Sequence, residues 1–206
     1  MHQDLNDLVI YDIGAFHGLL TLFFARQGKQ VISYEPNTRN YRRLIENFRL
    51  NELKNVLVRK IGVGAKPGIA TMVAPVPMFG RASVERDTVA SLVNSNARLL
   101  FEQVSITTLD DDIREISLPA PDFVKIDVEG EELAVLVGAR STLLARHPLL
   151  FLEMHGATMS LKRRNVTAIV AYLNELGYSD IVHVESGARI NADNSSIASE
   201  GHLYCR

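Results

Sequence analysis

The stretch Val9 to Gly18, reading V-I-Y-D-I-G-A-F-H-G, constrains the fold more than any other part of the chain. An apolar run, Val9-Ile10-Tyr11, ends in Asp12; Gly14 and Gly18 come next, and then Leu19, Leu22, Phe23 and Arg26 recur at helical spacing. A strand, a tight glycine turn and a helix start are the opening of a nucleotide-binding α/β unit, because glycine lets a ligand approach the backbone closely. Gly28 sits where a helix C′ glycine belongs.

The pattern then repeats. Val31 to Tyr34 reads as a short buried strand ending at Glu35-Pro36, where proline stops the ladder. Asn37 or Thr38 can cap a helix carrying Tyr41, Leu44, Ile45 and Phe48, which Asn51 closes before a third strand, Val56-Leu57-Val58. A β-α-β-α-β run with short apolar strands predicts a doubly wound, parallel sheet with right-handed crossovers. Gly62, Gly64, Gly68, Pro75, Pro77 and Gly80 interrupt the next segment, so the sequence predicts hairpin or loop structure near 64–103, with a short helix near Val89 to Leu100. Such an insertion in a compact domain is either a lid or substrate wall, or a decorated surface loop. Val104 to Ile106 and Asp122 to Ile126 then read as strands, Glu131 to Ala145 as a helix, and Leu149 to Leu152 as a buried strand. Asn165 can cap a last helix that stops at Gly177, and Ile181 to Val184 and His202 to Cys205 look like two final strands, one of them antiparallel.

With 206 residues, 47% of them hydrophobic, the chain suits one domain, 1–206, with a sizeable core. A net charge of −2 gives no global electrostatic reason to expect nucleic acid or an anionic membrane as partner. The single cysteine, Cys205, excludes an internal disulfide framework and fits a reducing compartment. No apolar run reaches the roughly 20 residues that span a bilayer. Met1 to Leu8 is too polar for a signal peptide, so a cytoplasmic location is expected. A homo-oligomer is left open.

Four carboxylates fall at strand ends: Asp12, Glu35, Asp127 and Glu153. In open α/β sheets ligands bind at the carboxyl ends of the strands, so a shared polar cleft is expected there. Glu35 stands where such a sheet places an acid for ribose hydroxyls, about twenty residues after the glycine turn. The turn itself is not G-x-G-x-x-G, because Phe16 and His17 fill its middle. That argues against a pyrophosphate pressed onto the helix and favours a ribose-bearing cofactor without phosphate, S-adenosylmethionine in the first place.

With these residues in place, the chain resembles the FkbM family of S-adenosylmethionine-dependent methyltransferases. The resemblance lies in Asp12-Ile13-Gly14-Ala15-Phe16-His17-Gly18, in Tyr34-Glu35-Pro36-Asn37 with Leu44, Asn47 and Asn51, and in Thr108-Leu109-Asp110 with Lys125-Ile126-Asp127-Val128-Glu129-Gly130-Glu131-Glu132, Gly138-Ala139 and Glu153. It implies a Rossmann-like, mostly parallel seven-stranded sheet with the last strand antiparallel. It also implies O-methylation of a hydroxyl on a sugar, glycan or secondary metabolite. It carries cofactor binding onto Asp12, Gly14, Ala15, Gly18, Glu35, Pro36 and Asn37, with Ile61 and Gly62 near the adenine.

Methyl transfer to a hydroxyl needs alignment and removal of a proton, which a base or a metal ion can assist. His155 or Glu153 is the expected base, with Asp127 and Glu129 orienting the acceptor or the cofactor. Alternatively Asp127, Glu153 and His155 ligate a divalent metal. Lys125, two residues before Asp127 on the same strand face, reads as the partner of Asp12 or Asp127 or as a group near the acceptor. His17 reads as a cofactor contact or a helix-turn cap, and His183 as structural. Leu161 to Arg164 reads as a solvated basic loop or as the rim of a site for an anionic substrate. An NAD-linked oxidoreductase and a non-catalytic domain that keeps the fold are the competing function classes.

Overall fold

A computed structural model describes residues 5–76, 82–94 and 98–206. Pro77, Gly80 and His2 lie outside the described residues. The main sheet is built from β1 (Val9–Ile13), β2 (Gln30–Tyr34), β3 (Val56–Arg59), β7 (Phe123–Ile126), β8 (Leu149–Glu153), β9 (Ile181–His183) and β10 (His202–Cys205). Its order is β3-β2-β1-β7-β8-β10-β9. β10 runs antiparallel to both of its neighbours, whereas the pairs from β3 to β8 are parallel. The chain first builds outward from β1 to β3 and then restarts on the other side of β1. The crevice between the ends of β1 and β7 is therefore the switch point at which such sheets bind ligands.

Every residue of β1 and β7 is buried, because helices cover both sheet faces. The larger core holds Tyr11, Ile13, Ile32, Tyr34, Val124, Ile126, Leu150 and Leu152, joined by Val166, Ile169, Val170 and Leu173 of helix α7 (Met159–Glu175). The two buried tyrosines keep their hydroxyls satisfied, Tyr11 by donating to Pro119 O (2.8 Å) and Tyr34 by donating to Asp112 Oδ2 (2.9 Å). Asp112 in turn pairs with Arg59 at 2.6 Å.

Helix α1 (Leu19–Ala25) buries Thr21, Phe24 and Ala25, not the expected stripe: Leu19 is 80% exposed and Phe23 50%. The reason is polar. Thr21 must face the sheet, because its hydroxyl donates to Asp12 Oδ2 at 2.5 Å. Gly28 is not a left-handed cap. It is needed for space, since a Cβ there would lie 2.8 Å from Ile10 Cδ1. In helix α2 (Thr38–Leu50) Asn37 is the N-cap, accepting from the amides of Arg39 and Asn40, and Asn51 is the C-cap.

The 64–103 region is more regular than its glycines and prolines suggest. Strands β4 (Gly62–Val63), β5 (Gly68–Pro75) and β6 (Leu99–Thr107) form a second sheet, β6 pairing antiparallel with β5 and parallel with β4. Gly68 and Pro75 bound β5 rather than break it. The short helix is α3 (Arg86–Val93), N-capped by Glu85, and so lies earlier than Val89 to Leu100. Glu102 of β6 accepts from Asn37 Nδ2 and from the amide and hydroxyl of Thr38, which fastens this hairpin to the start of α2.

After α4 (Leu109–Glu115), which Thr108 caps as N-cap, the expected helix from Glu131 to Ala145 is two helices, α5 (Glu132–Gly138) and α6 (Arg140–Arg146). Two contacts break it. Gly138 is pressed against Gly64 O, where a Cβ would lie at 2.0 Å, and the Asp110 carboxylate caps α6 by accepting from the amides of Ser141 and Thr142. Helix α7 starts at Met159 with Thr158 as N-cap, so Asn165 and the basic residues Lys162 to Arg164 lie inside it. Lysine and arginine are good helix formers, so the helix runs back through them to Thr158, whose hydroxyl accepts from the amide of Leu161. Gly177, at φ +91°, ends the helix as expected.

Candidate active site

The carboxyl ends of β1, β2, β7 and β8 open into one cavity of about 220 Å³. Its floor is the glycine turn. Gly14, at φ +80°, lies so close to the next strand that a Cβ would sit 1.7 Å from Asp127 O. Its amide and that of Ala15 both donate to Tyr34 O. Phe16 is left-handed at φ +52°, an uncommon state for a bulky residue. That geometry aims its amide at Glu35 Oε2, 2.9 Å away.

Glu35 is the acid at one end of the cavity. It is 5% exposed and also accepts from the amide of Asn37 at 2.8 Å. Burial pushes its carboxyl up to about 7, although the amides of Asn37 and Phe16 pull the other way. A carboxylate so placed is primed to accept hydrogen bonds from a diol.

Lys125 ties the turn to the opposite strand end. Its ammonium donates to Gly14 O (2.9 Å) and pairs with Asp12 Oδ1 (3.1 Å) and Asp127 Oδ2 (3.2 Å). It is thus the partner of both acids. Although burial lowers its pKa, the charges of Asp12 and Asp127 outweigh that and raise it. Asp12 has no exposure at all, so it organises the turn from below and lies outside the cavity lining.

The other end gathers Asp127, Glu129, Glu131, Glu153 and His155. His155 Nε2 lies 3.5 Å from Glu153 Oε1, 3.7 Å from Asp127 Oδ1 and 3.9 Å from Glu129 Oε1. Its Nδ1 is 2.9 Å from Glu132 Oε1, which also accepts from the amide of Gly130 at 3.0 Å. Burial alone would lower the imidazole. The Glu132 hydrogen bond and the charges of Glu132, Glu129 and Asp127 instead push it up to about 9, so it holds its proton at neutral pH. Glu129 (φ +50°) and Gly130 (φ +107°) form a left-handed corner that turns this loop over the cavity.

The wall opposite the sheet comes from the second sheet and its flank: Met72, Ala82, Val84 and Ile106. Ser83 fastens it, donating to Glu129 O at 2.9 Å.

Of the residues expected at the site, the cavity brings together Gly14, Glu35, Pro36, Ile61, Gly62, Asp127, Glu129, Glu153 and His155. Asp12, Ala15, Gly18 and Asn37 stand behind it. Gly18, at φ +85°, packs where a Cβ would meet Leu44 Cδ1 at 2.2 Å. Phe16 reaches the cavity, whereas His17 stacks on the Phe16 ring with centroids 3.7 Å apart. His183 is structural, held between Ser186 Oγ and Glu200 O. Sequence reasoning passed over Glu132, which holds His155, Met72 of the wall, and His202, whose Nε2 lies 3.6 Å from Glu153 Oε2. Only Glu132 left a signal, as an acid in the first turn of the helical pattern that follows Gly130.

A seven-stranded sheet of this order, with its cavity at the switch point and an acid ending β2, is the architecture of the Rossmann-like methyltransferases. Solved structures agree. A methyltransferase FkbM from Methylobacillus flagellatus KT superposes with a TM-score of 0.61 at 21% identity, covering 97% of this chain and 44% of that one. Fibrillarin from Aeropyrum pernix, with natively bound S-adenosyl-L-methionine, superposes with a TM-score of 0.55 at 13% identity, covering 100% of this chain and 70% of that one. The methyltransferase FkbM domain matches residues 12–179, and the chain belongs to that family. A relative by sequence is the AMB antimetabolite synthetase AmbE of Pseudomonas aeruginosa, 27% identical over 72% of this chain; the chain spans only 8% of that protein's length. Among the described residues no helix is long and apolar enough to cross a membrane.

Proposed function

We propose that this chain binds S-adenosylmethionine and transfers its methyl group to a hydroxyl oxygen of a small-molecule or glycan acceptor. The observation that carries this reading is the polarity of the cavity. One end has a buried diol-accepting acid, Glu35, and the other a carboxylate–imidazole group around His155. Between them the apolar wall of Ile61, Met72 and Ile106 suits a flat adenine.

In this reading Glu35 accepts the ribose hydroxyls, and the Gly14 turn admits the cofactor close to the backbone. The acceptor oxygen attacks the methyl carbon in line with sulfur. An O–C bond forms, the C–S bond breaks with its electron pair going to sulfur, and the sulfonium becomes the thioether of S-adenosylhomocysteine. The hydroxyl becomes acidic as the O–C bond forms, so a carboxylate of ordinary basicity can take its proton. Glu153 is that base, because His155 already holds a proton; Asp127 and Glu129 orient the acceptor.

The test is binding of S-adenosylhomocysteine by calorimetry, followed by methyl transfer from labelled S-adenosylmethionine over glycans, polyols and small phenols. Binding and turnover on a hydroxyl acceptor are expected. Absence of S-adenosylhomocysteine binding by folded protein overturns the reading.

A further inference from the structure

We propose that the acceptor end of the cavity is a binding site for a divalent cation of the Mg²⁺ and Mn²⁺ class, with Asp127 Oδ1, Glu153 Oε1 and His155 Nε2 as its protein ligands. The three side chains each offer one ligand atom, and those atoms lie within 4.8 Å of one another.

What separates this group from an ordinary patch of acids is how each member is held from outside. Asp127 uses Oδ2 on Lys125 (3.2 Å), which leaves Oδ1 facing His155. Glu153 turns Oε2 toward His202 Nε2 (3.6 Å), which leaves Oε1 facing His155. His155 uses Nδ1 on the buried Glu132 carboxylate (2.9 Å), which leaves Nε2 facing both acids. The outer partners are fixed in turn. Glu132 takes the Gly130 amide, His202 is bound through Nδ1 to Glu185 (2.6 Å), and Asn165 holds the backbone carbonyl of His155 (3.2 Å). Carboxylate–histidine pairing of this kind orients metal ligands and keeps the free ring nitrogen directed at the ion.

Two carboxylates balance a doubly charged ion. Oxygen-rich ligation with one imidazole suits Mn²⁺ or Mg²⁺ better than a thiolate-seeking metal. Ligation displaces the Nε2 proton to solvent. Three protein ligands on one side leave the remaining positions to water and to acceptor oxygens.

The role of the ion rests on the methyl-transfer reading, but its binding does not. The ion lowers the pKa of a bound hydroxyl. With an ion bound, Glu153 would be its ligand, and Glu129, whose Oε1 lies 3.9 Å from His155 Nε2, would take over the proton that Glu153 receives without it.

The experiment is a Mn²⁺ titration of the purified chain without cofactor, followed by electron paramagnetic resonance of free Mn²⁺, with Mg²⁺ as competitor. One saturable Mn²⁺ per chain, displaced by Mg²⁺, is expected. Glu153→Gln and Glu132→Gln should each weaken Mn²⁺ binding by about tenfold or more while S-adenosylhomocysteine affinity is kept, which also shows that they fold. The proposal is overturned if the chain binds Mn²⁺ no tighter than a Glu153→Gln/His155→Gln double variant that still binds S-adenosylhomocysteine. Ligand-dependent Mn²⁺ binding without S-adenosylhomocysteine binding supports the cation site and removes the methyl-transfer reading instead.

Discussion

Lys125 Nζ lies 3.1 Å from Asp12 Oδ1, and the two side chains are 5% and 0% exposed. Oδ1 has no well-aligned hydrogen-bond donor, so the lysine charge is what compensates it. Their strands are adjacent and in register, Asp12 opposite Lys125, so the pair is set by the sheet and not by a flexible loop. The same ammonium holds Gly14 O, which makes the glycine turn depend on a residue outside the cavity lining.

Lys125→Met should therefore be strongly destabilising. Removing one partner of a buried pair leaves an uncompensated charge and costs about 3–5 kcal/mol. Urea unfolding of the variant should show that loss, and adding Asp12→Asn should recover part of it. A loss below about 1 kcal/mol, near the value of an exposed pair, would contradict this account.

Glu35 sets a pH dependence with two opposite signs. Its folded pKa is raised from 4.5 to about 7, so its contribution to stability is fully present below pH 4.5 and is lost as pH rises through 7. The shift corresponds to about 3 kcal/mol across that window. A diol needs the ionised carboxylate, so S-adenosylhomocysteine affinity should rise between pH 6 and pH 8 while stability without ligand falls. Calorimetry at several pH values reads the first effect and urea unfolding the second. Cofactor affinity independent of pH over this range would remove Glu35 from the role.

The glycines separate steric need from sequence pattern. Gly14→Ala should fail to fold or should lose the turn, since its Cβ would overlap backbone at 1.7 Å and its φ is +80°. Gly18→Ala meets a flexible Leu44 methyl at 2.2 Å in a left-handed position and should cost about 1–3 kcal/mol. Gly68→Ala meets nothing within 4 Å and should lie within about 0.5 kcal/mol of the parent chain. Thermal unfolding of the three variants checks the order.

The centre of the sheet was legible because β1, β2 and β7 are buried almost throughout and read as short apolar runs next to acids. Positions that needed a partner from far along the chain were not legible. The face of α1 is chosen by Thr21 reaching Asp12, and the break after Gly138 by Gly64 and Asp110. Nothing in either local pattern encodes those contacts. The strand-end rule named Glu35, Asp127 and Glu153, which line the cavity, and Asp12, which stands behind it on Lys125 and Thr21. Alternation along a strand buried on both faces does not say which side meets the ligand. His202 escaped notice because it is placed beside Glu153 only by the antiparallel pairing of β10 with β8.

The two ends of the cavity should separate in kinetics. On the proposed reading Glu35→Ala removes a contact to the cofactor and should raise the Kd for S-adenosylhomocysteine at least tenfold. His155→Gln leaves Glu35 and the Gly14 turn untouched, yet it removes the group that Glu132 holds among Asp127, Glu129 and Glu153. Its kcat should fall by about 10²-fold, the cost of misplacing the base Glu153 beside it, with Kd for S-adenosylhomocysteine changed less than about threefold. The division follows from geometry: Glu35 ends β2 and His155 follows β8, with β1 and β7 between them in the sheet. If His155→Gln lost cofactor affinity and Glu35→Ala lost only turnover, the cofactor would lie the other way round in the cavity, with its ribose toward His155.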